Sequence, residues 1–370
     1  MENAEIPSPT DRRILSIDAL RGFDMFWITG GAELFIALAA WLKFPGWESF
    51  SAQFEHVEWE GFRFYDLIFP LFLFVVGVVL PISLSGHHQG QSRWMLYRRI
   101  VRRTVLLFLL GLVYNEALKF DPNTFRMSGV LQRIAIVYFF CALLVLHLPI
   151  VVQALVGVIL LGGYWWILTT CAAPGFSPGD FTMEGNFAAY VDRLYLPGVK
   201  YYKFGDNEGI LSTIPAIATG ILGVLSGHWL RGSRSGNQKS LGLFLAGLVC
   251  LAGGYGWGIS FPIIKNIWTS SFVLVAGGWS LLLLALFHHV IDVLGFRKSV
   301  FFFTVIGANP ITIYLLQEFV DFPRIANFFF GGLISFAATS FQPFAVALSI
   351  VLVKWLLLLF LYRKKIFLRV

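Results

Sequence analysis

Apolar residues in this chain come in long runs rather than in the short alternation of strands or the narrow stripes of surface helices. A helix crossing a hydrocarbon core about 30 Å thick needs about 20 such residues at 1.5 Å each. Runs of roughly that length occur over residues 14–42, 64–85, 101–118, 129–147, 149–172, 209–230, 241–258, 270–291, 299–320 and 341–362. The pattern predicts an all-α fold, a polytopic transmembrane helix bundle of about 10 spans, as a single domain over residues 1–370. Residues 321–340 read as an outer amphipathic piece or a short re-entrant element, because an eleventh span would move the basic tail across the membrane.

The connections between runs differ in charge. "HHQGQSRWMLYRRIVRR", "RGSRSGNQKS", "GFRKS" and "YRKKIFLRV" fall on the side of Arg12 and Arg13. The other side carries Glu48, Glu55, Glu58, Glu60, Asp180, Glu184, Asp192, Asp206 and Glu208. Cytoplasmic loops hold the excess of Lys and Arg, so both termini are expected in the cytoplasm. The first thirteen residues lack a signal-peptide pattern, so the first run is expected to remain as a membrane anchor. Residues 173–208, on the acidic side, are long for a connection and suit a lid or binding loop.

Composition agrees: 57% of residues are hydrophobic and 13% charged, against about 45–50% apolar in soluble domains. The net charge of +7 belongs to topology, since no separate basic domain is present to hold nucleic acid. Cys141, Cys171 and Cys250 lie in or beside apolar runs, suggesting neither a disulfide framework nor a metal site.

Charged side chains in a span cost about 2.5–3.5 kcal/mol each on insertion scales, so each needs a partner or a task. Asp18, Arg21 and Asp24 recur every three residues along one helical stripe. They form either an ion-paired packing stripe or, through Arg21, a phosphate ligand reached from the cytoplasm. Gln132 and Arg133 begin another run, where Arg133 either snorkels to the interface or anchors a substrate oxygen or coenzyme from within the bundle. Glu318 and Lys265 pose the same question near outer helix ends. "GILGVLSG" and "GGYGWG" sit in or at the end of helices and read as close packing, not as phosphate loops.

Of the seven histidines, His87 and His88 fall in a cytoplasmic loop, and His147, His228, His288 and His289 at cytoplasmic helix ends. His56 alone is external, among Glu55, Glu58 and Glu60 and ten residues before Asp66, which begins the second run. Imidazole can act there as base, acid or nucleophile, and a neighbouring carboxylate raises its basicity and fixes its tautomer.

Six stretches together resemble the heparan-alpha-glucosaminide N-acetyltransferase family, which has many bacterial members. They are "RILSIDALRGFDMF", "HVEWEGFRFYDLIFPLFLFVVG", "SGVLQRIAIVYFF", "GDNEGILSTIPAIATGILGVLSG", "FPIIKNIWTSSFVL" and "IGANPITIYLL". They are colinear with the family over residues 13 to about 317. The resemblance implies a multi-pass acyltransferase of a bacterial cytoplasmic membrane that carries acetyl from acetyl-CoA to the amino group of a glucosamine-type sugar outside. It implies that the histidine of the H-x-x-W-x-G block, here His56, is catalytic. By that resemblance the chain, which starts directly before "RILSIDALRG", is expected to differ from the lysosomal animal enzymes in having neither their luminal region nor their preceding span. It also has no asparagine in residues 28–53, where they carry one before the histidine, leaving Gln53 or Glu33 as substitutes. Outer loops of different length make heparan sulfate itself an unexpected acceptor.

Acetyl transfer to an amine needs a deprotonated nucleophile, a donor for the developing oxyanion and a hold on the thioester. His56 would serve as base or as acetyl carrier. Lys265, Asn266, Gln132 and Asn309 are candidate oxyanion donors, with Gln132 and Asn309 on the coenzyme side. Arg21 and Arg133 are the expected coenzyme ligands, Asp206 and Glu208 the acids for a cationic amino sugar, and Trp59 and Trp268 a stacking wall. The expected partners are the bilayer and an amino-sugar or oligosaccharide acceptor, with a homodimer allowed, no nucleic acid and no metal. A transporter or flippase of a sugar or other small solute is the competing class.

Overall fold

The computed structural model describes residues 14–85, 92–119, 121 and 123–368. His87, His88, Arg12 and Arg13 lie outside the described residues. The helices are α1 Leu15–Phe26, α2 Ala32–Leu42, α3 Trp47–Ala52, α4 Ile68–Ser85 and α5 Arg93–Tyr114. They continue with α6 Val130–His147, α7 Ile150–Thr170, α8 Phe187–Tyr195, α9 Thr213–Arg231 and α10 Gly236–Gly258. Last come α11 Ser270–Phe287, α12 Phe301–Gly307, α13 Pro310–Phe319, α14 Phe322–Ser335 and α15 Gln342–Arg363. No strand forms among the described residues; three isolated bridges tie loops together. The chain is thus all-α and built as an integral, multi-pass membrane protein.

Eight helical stretches among the described residues are long and apolar enough to cross a membrane, two fewer than the runs counted in the sequence. The two that fall short have clear physical causes. α5 is helical for 22 residues, but its first half carries Arg93, Arg98, Arg99, Arg102 and Arg103. The run at 299–320 breaks at Ala308 and Asn309, because Pro310 supplies no N–H and drives the residue before it out of helical geometry. Residues 321–340 contain α14, where Phe328, Phe329 and Leu333, with Phe336 just after it, are exposed.

The first run is bent rather than straight. Residues Trp27–Gly31 form a π-type turn in which Gly30 has φ 127°, a left-handed conformation that a side chain would strain. The Lys354 amine of α15 donates to the Thr29 carbonyl at 2.8 Å within this turn. The core is centred on α4, α6, α9 and α11, whose buried faces carry Phe74, Val78, Val137, Val224 and Phe272. α4 and α9 meet backbone to backbone: a Cβ on Gly223 would overlap the Phe74 carbonyl, and one on Gly227 the Val78 carbonyl. This is the close packing that the small-residue spacing suggested. On the basic side, His147 meets Tyr97 at 2.7 Å, His228 meets Gln153 at 3.2 Å and His288 meets Ser240 at 2.8 Å, each pair joining neighbouring helix ends.

Candidate active site

Two loops on the acidic side create the site. The stretch after α3 turns back before entering α4, and the stretch between α10 and α11 crosses it, joined by an antiparallel bridge between Glu60 and Ile264. The Gly61 N–H donates to the Ile263 carbonyl at 2.9 Å. The bridge brings Lys265 against His56, 209 positions earlier in the chain. A short helical turn, Phe64–Leu67, delivers Asp66 to the same point.

At the centre, His56 Nδ1 lies 2.8 Å from Asp66 Oδ1. The Lys265 amine lies 2.8 Å from Nδ1, 3.1 Å from Nε2 and 3.3 Å from Asp66 Oδ1. The Asp66 side chain is fully buried, while that of His56 is 44% exposed, so the imidazole is held from beneath and open above. Arg63 N–H donates to the second Asp66 oxygen at 3.0 Å, and the Arg63 guanidinium to the His56 carbonyl at 3.2 Å. Tyr65 lies beside the imidazole with ring centroids 4.8 Å apart. Burial pulls the Lys265 amine below its ordinary range, and Asp66 and Glu208 only partly restore it.

This cluster opens onto a cavity of about 220 Å³. One part of its wall is apolar, with Met25, Ile28, Phe69, Phe72, Ile134 and Ile311. The other carries Arg126, Tyr201, Asn207, Glu208 and Tyr314. Arg126 anchors the polar wall: its Nε and Nη2 donate to the two Asp206 oxygens at 2.8 and 2.6 Å, and Nη2 also reaches Glu208. Burial would lift the Asp206 carboxyl, but Arg126 and the Glu208 N–H hold it below the usual range. The two acids in turn keep Arg126 firmly charged despite its burial.

Toward the basic side the cavity shares Phe72, Ile134, Pro310 and Ile311 with a smaller one of about 60 Å³. That one shares Arg21, Arg103, Pro310 and Ile311 with a third of about 390 Å³, which also touches Asp18. Adjoining cavities thus run from His56 to Arg21 and Arg103, and Arg21 pairs with Asp18 on α1.

The residues singled out in the sequence divide. His56, Lys265 and Glu208 line the cavity and Arg21 lines its far neighbours, whereas Asp206 is fully buried behind Arg126. Arg133 is 1% exposed and engaged elsewhere: its Nη2 donates to Ser212 and to the Gly209 carbonyl, with the guanidinium over Trp268 at 5.0 Å. Gln132 is buried against the Met127 carbonyl. Trp268 is 1% exposed and donates to Thr219, and Trp59 donates to the Phe181 carbonyl, so both hold loops rather than face the cavity. Asn266 lies beside Lys265 outside the cavity wall, and Asn309 is buried. Gln53 receives the Phe64 and Tyr65 N–H groups and so shapes the turn, while Asp66 is the carboxylate that meets His56. Sequence reasoning missed Arg126, Tyr65, Tyr201, Asn207 and Tyr314.

A family model described as a domain of unknown function, DUF5009, matches residues 13–120. Human heparan-alpha-glucosaminide N-acetyltransferase is 27% identical over 365 residues, covering 83% of this chain and 53% of the human protein. The mouse protein of the same name is 26% identical over 390 residues, covering 86% of this chain and 58% of its own. Along most of its length this chain is thus similar to proteins named heparan-alpha-glucosaminide N-acetyltransferase. It spans just over half the length of these curated relatives. The DUF5009 match takes in His56, Asp66 and Arg21, while Lys265, Arg126 and Glu208 lie beyond it.

Proposed function

We propose that this chain is a membrane acetyltransferase that moves acetyl from acetyl-CoA on the basic, cytoplasmic side to the amino group of a glucosamine-type sugar on the acidic side. The observation that carries the reading is the pairing of an open, carboxylate-held imidazole at one end of the adjoining cavities with Arg21 and Arg103 at the other. A pantetheine arm suits the apolar middle, phosphates suit the arginines, and the relatives' names supply the reaction class.

The reaction breaks the thioester C–S bond and forms an amide C–N bond. The ammonium of the acceptor loses one proton to the medium through His56, and the attacking amine passes a second to the departing thiolate, giving CoA–SH. Asp66 orients the imidazole and stabilises it when protonated. Lys265, beside the ring, is placed to donate to the oxyanion that forms on the acetyl carbon. Glu208, at the cavity wall, offers negative charge to the cationic acceptor. In a two-step route a neutral His56 ring nitrogen attacks the thioester, the C–S bond breaks and the thiolate leaves as CoA–SH with a proton; the amine then displaces the acetyl group from the ring, losing its own proton as the amide forms and His56 is restored.

Purified protein in detergent with acetyl-CoA and glucosamine should release free thiol, and His56→Ala should slow that release at least about 100-fold. A His56→Ala variant as fast as the parent would remove the basis of the reading. Acetylated His56 in peptides from protein mixed with acetyl-CoA alone would select the two-step route. The same cavities would also suit a solute pathway. Glucosamine uptake into proteoliposomes without acetyl-CoA, unaffected by His56→Ala, would favour a transporter.

A further inference from the structure

After α15 the chain reverses. Lys365 has φ 57°, a left-handed conformation, and the Ile366 N–H folds back to the Leu361 carbonyl at 2.9 Å. The returning segment is then held by one side chain. Asn309 Nδ2 donates to the Ile366 carbonyl at 3.0 Å, and the Leu368 N–H donates to Asn309 Oδ1 at 3.2 Å. The carboxamide engages the segment as a neighbouring strand would, with one donor and one acceptor.

Three observations give this contact a use. Phe367 and Leu368, with Tyr362, line the outermost basic-side cavity, which shares Arg21 and Arg103 with the middle one. The segment is loosely packed, with Ile366 52% and Leu368 50% exposed. Asn309 stands in the break between α12 and α13, and the next two residues, Pro310 and Ile311, line all three adjoining cavities.

We propose that residues 364–368 are a strap, latched by Asn309, that closes the basic end of the cavities and swings off to admit the nucleotide end of an acyl-coenzyme thioester. The proposal rests on the acetyl-CoA reading above and adds the control of entry. Coenzyme can open the strap only if it binds the open form more tightly. The open form supplies that difference, because it uncovers Arg21 and Arg103, beside which the exposed Arg363, Lys364 and Lys365 stand to meet the same phosphates.

The test uses the full-length protein in detergent. Hydrogen–deuterium exchange of the strap peptide should become at least threefold faster under saturating CoA, with binding followed by calorimetry. Asn309→Ala should raise kcat/KM for acetyl-CoA about threefold or more, and a chain ended after Lys365 should do the same with kcat near the parent's. The ended chain leaves the α12–α13 break intact and so covers the case in which Asn309→Ala fails to fold. Unchanged or slower strap exchange with CoA bound overturns the gate, as does a folded, ended chain whose kcat/KM is unchanged or reduced. If no form of the protein binds CoA, the acetyltransferase reading falls and the strap with it.

Discussion

Asp66 and Lys265 crowd the same nitrogen of His56, and one proton cannot serve every contact. With Nδ1 protonated toward Asp66, the Lys265 amine meets the lone pair of Nε2; with Lys265 neutral, that lone pair is free for the acceptor or the thioester. Burial pulls the Lys265 amine below its ordinary range, against the pull of Asp66 and Glu208, which eases the loss of its proton. Asp66→Asn keeps the shape but loses the charge that selects the tautomer. It should lower acetyl transfer about 100-fold or more while the thermal midpoint in detergent stays near the parent's. A variant with parental turnover would show that Asp66 only shapes the turn. His56 stood out in the sequence because the charge pattern set it apart from the other six histidines on the acidic side. Arg126 was not, because its partners Asp206 and Glu208 lie 80 and 82 positions away and the outer face reads as acidic. Trp268, expected as part of a stacking wall for a sugar, misled for a related reason: its place at a helix end says nothing of its cover, and only packing shows it under Arg133 and Phe69.

Among the elements, α8 shows how the outer loop is held. Its Asp192 is buried and accepts N–H groups from Ile210 at 2.8 Å and Asp206 at 3.3 Å, fastening the segment that carries Glu208. Burial nevertheless pushes the Asp192 carboxyl up to about 6. A carboxyl raised in the folded state favours folding when protonated. Its contribution is therefore full below about pH 4 and lost as pH rises through about 6, and it amounts to at most about 3 kcal/mol for a shift of about two units. The parent's unfolding midpoint in detergent should carry this downward component between pH 4.5 and 7, and Asp192→Asn should flatten it. Equal slopes would mean that Asp192 does not titrate there. The helices themselves were legible as apolar runs and the α4–α9 contact as a glycine spacing. The break at Asn309–Pro310 was written in the sequence as plainly, yet the length of the surrounding run outweighed it. α5 looked like a span because its second half is apolar, while its arginines sit on the half that meets the basic side.

At the scale of the molecule, the polar wall and the arginine end are separated by apolar residues, with Ile311 common to all three cavities. None of this spatial arrangement was legible in the sequence, since adjacency of Phe72, Ile134 and Ile311 depends on how α4, α6 and α13 pack. The Glu60–Ile264 bridge has a consequence for how such a chain comes into being. During synthesis, the ribosome delivers the imidazole about two hundred residues before the amine that completes it. A nascent bundle that ends before the α10–α11 loop therefore holds His56 and Asp66 without Lys265, and on the proposed reading should not transfer acetyl. The same division suits genetic complementation: fragments 1–235 and 236–370, cut in the basic connection before α10, should restore thiol release when co-expressed and give none when expressed singly. Release from the first fragment alone would mean that His56 and Asp66 suffice without Lys265.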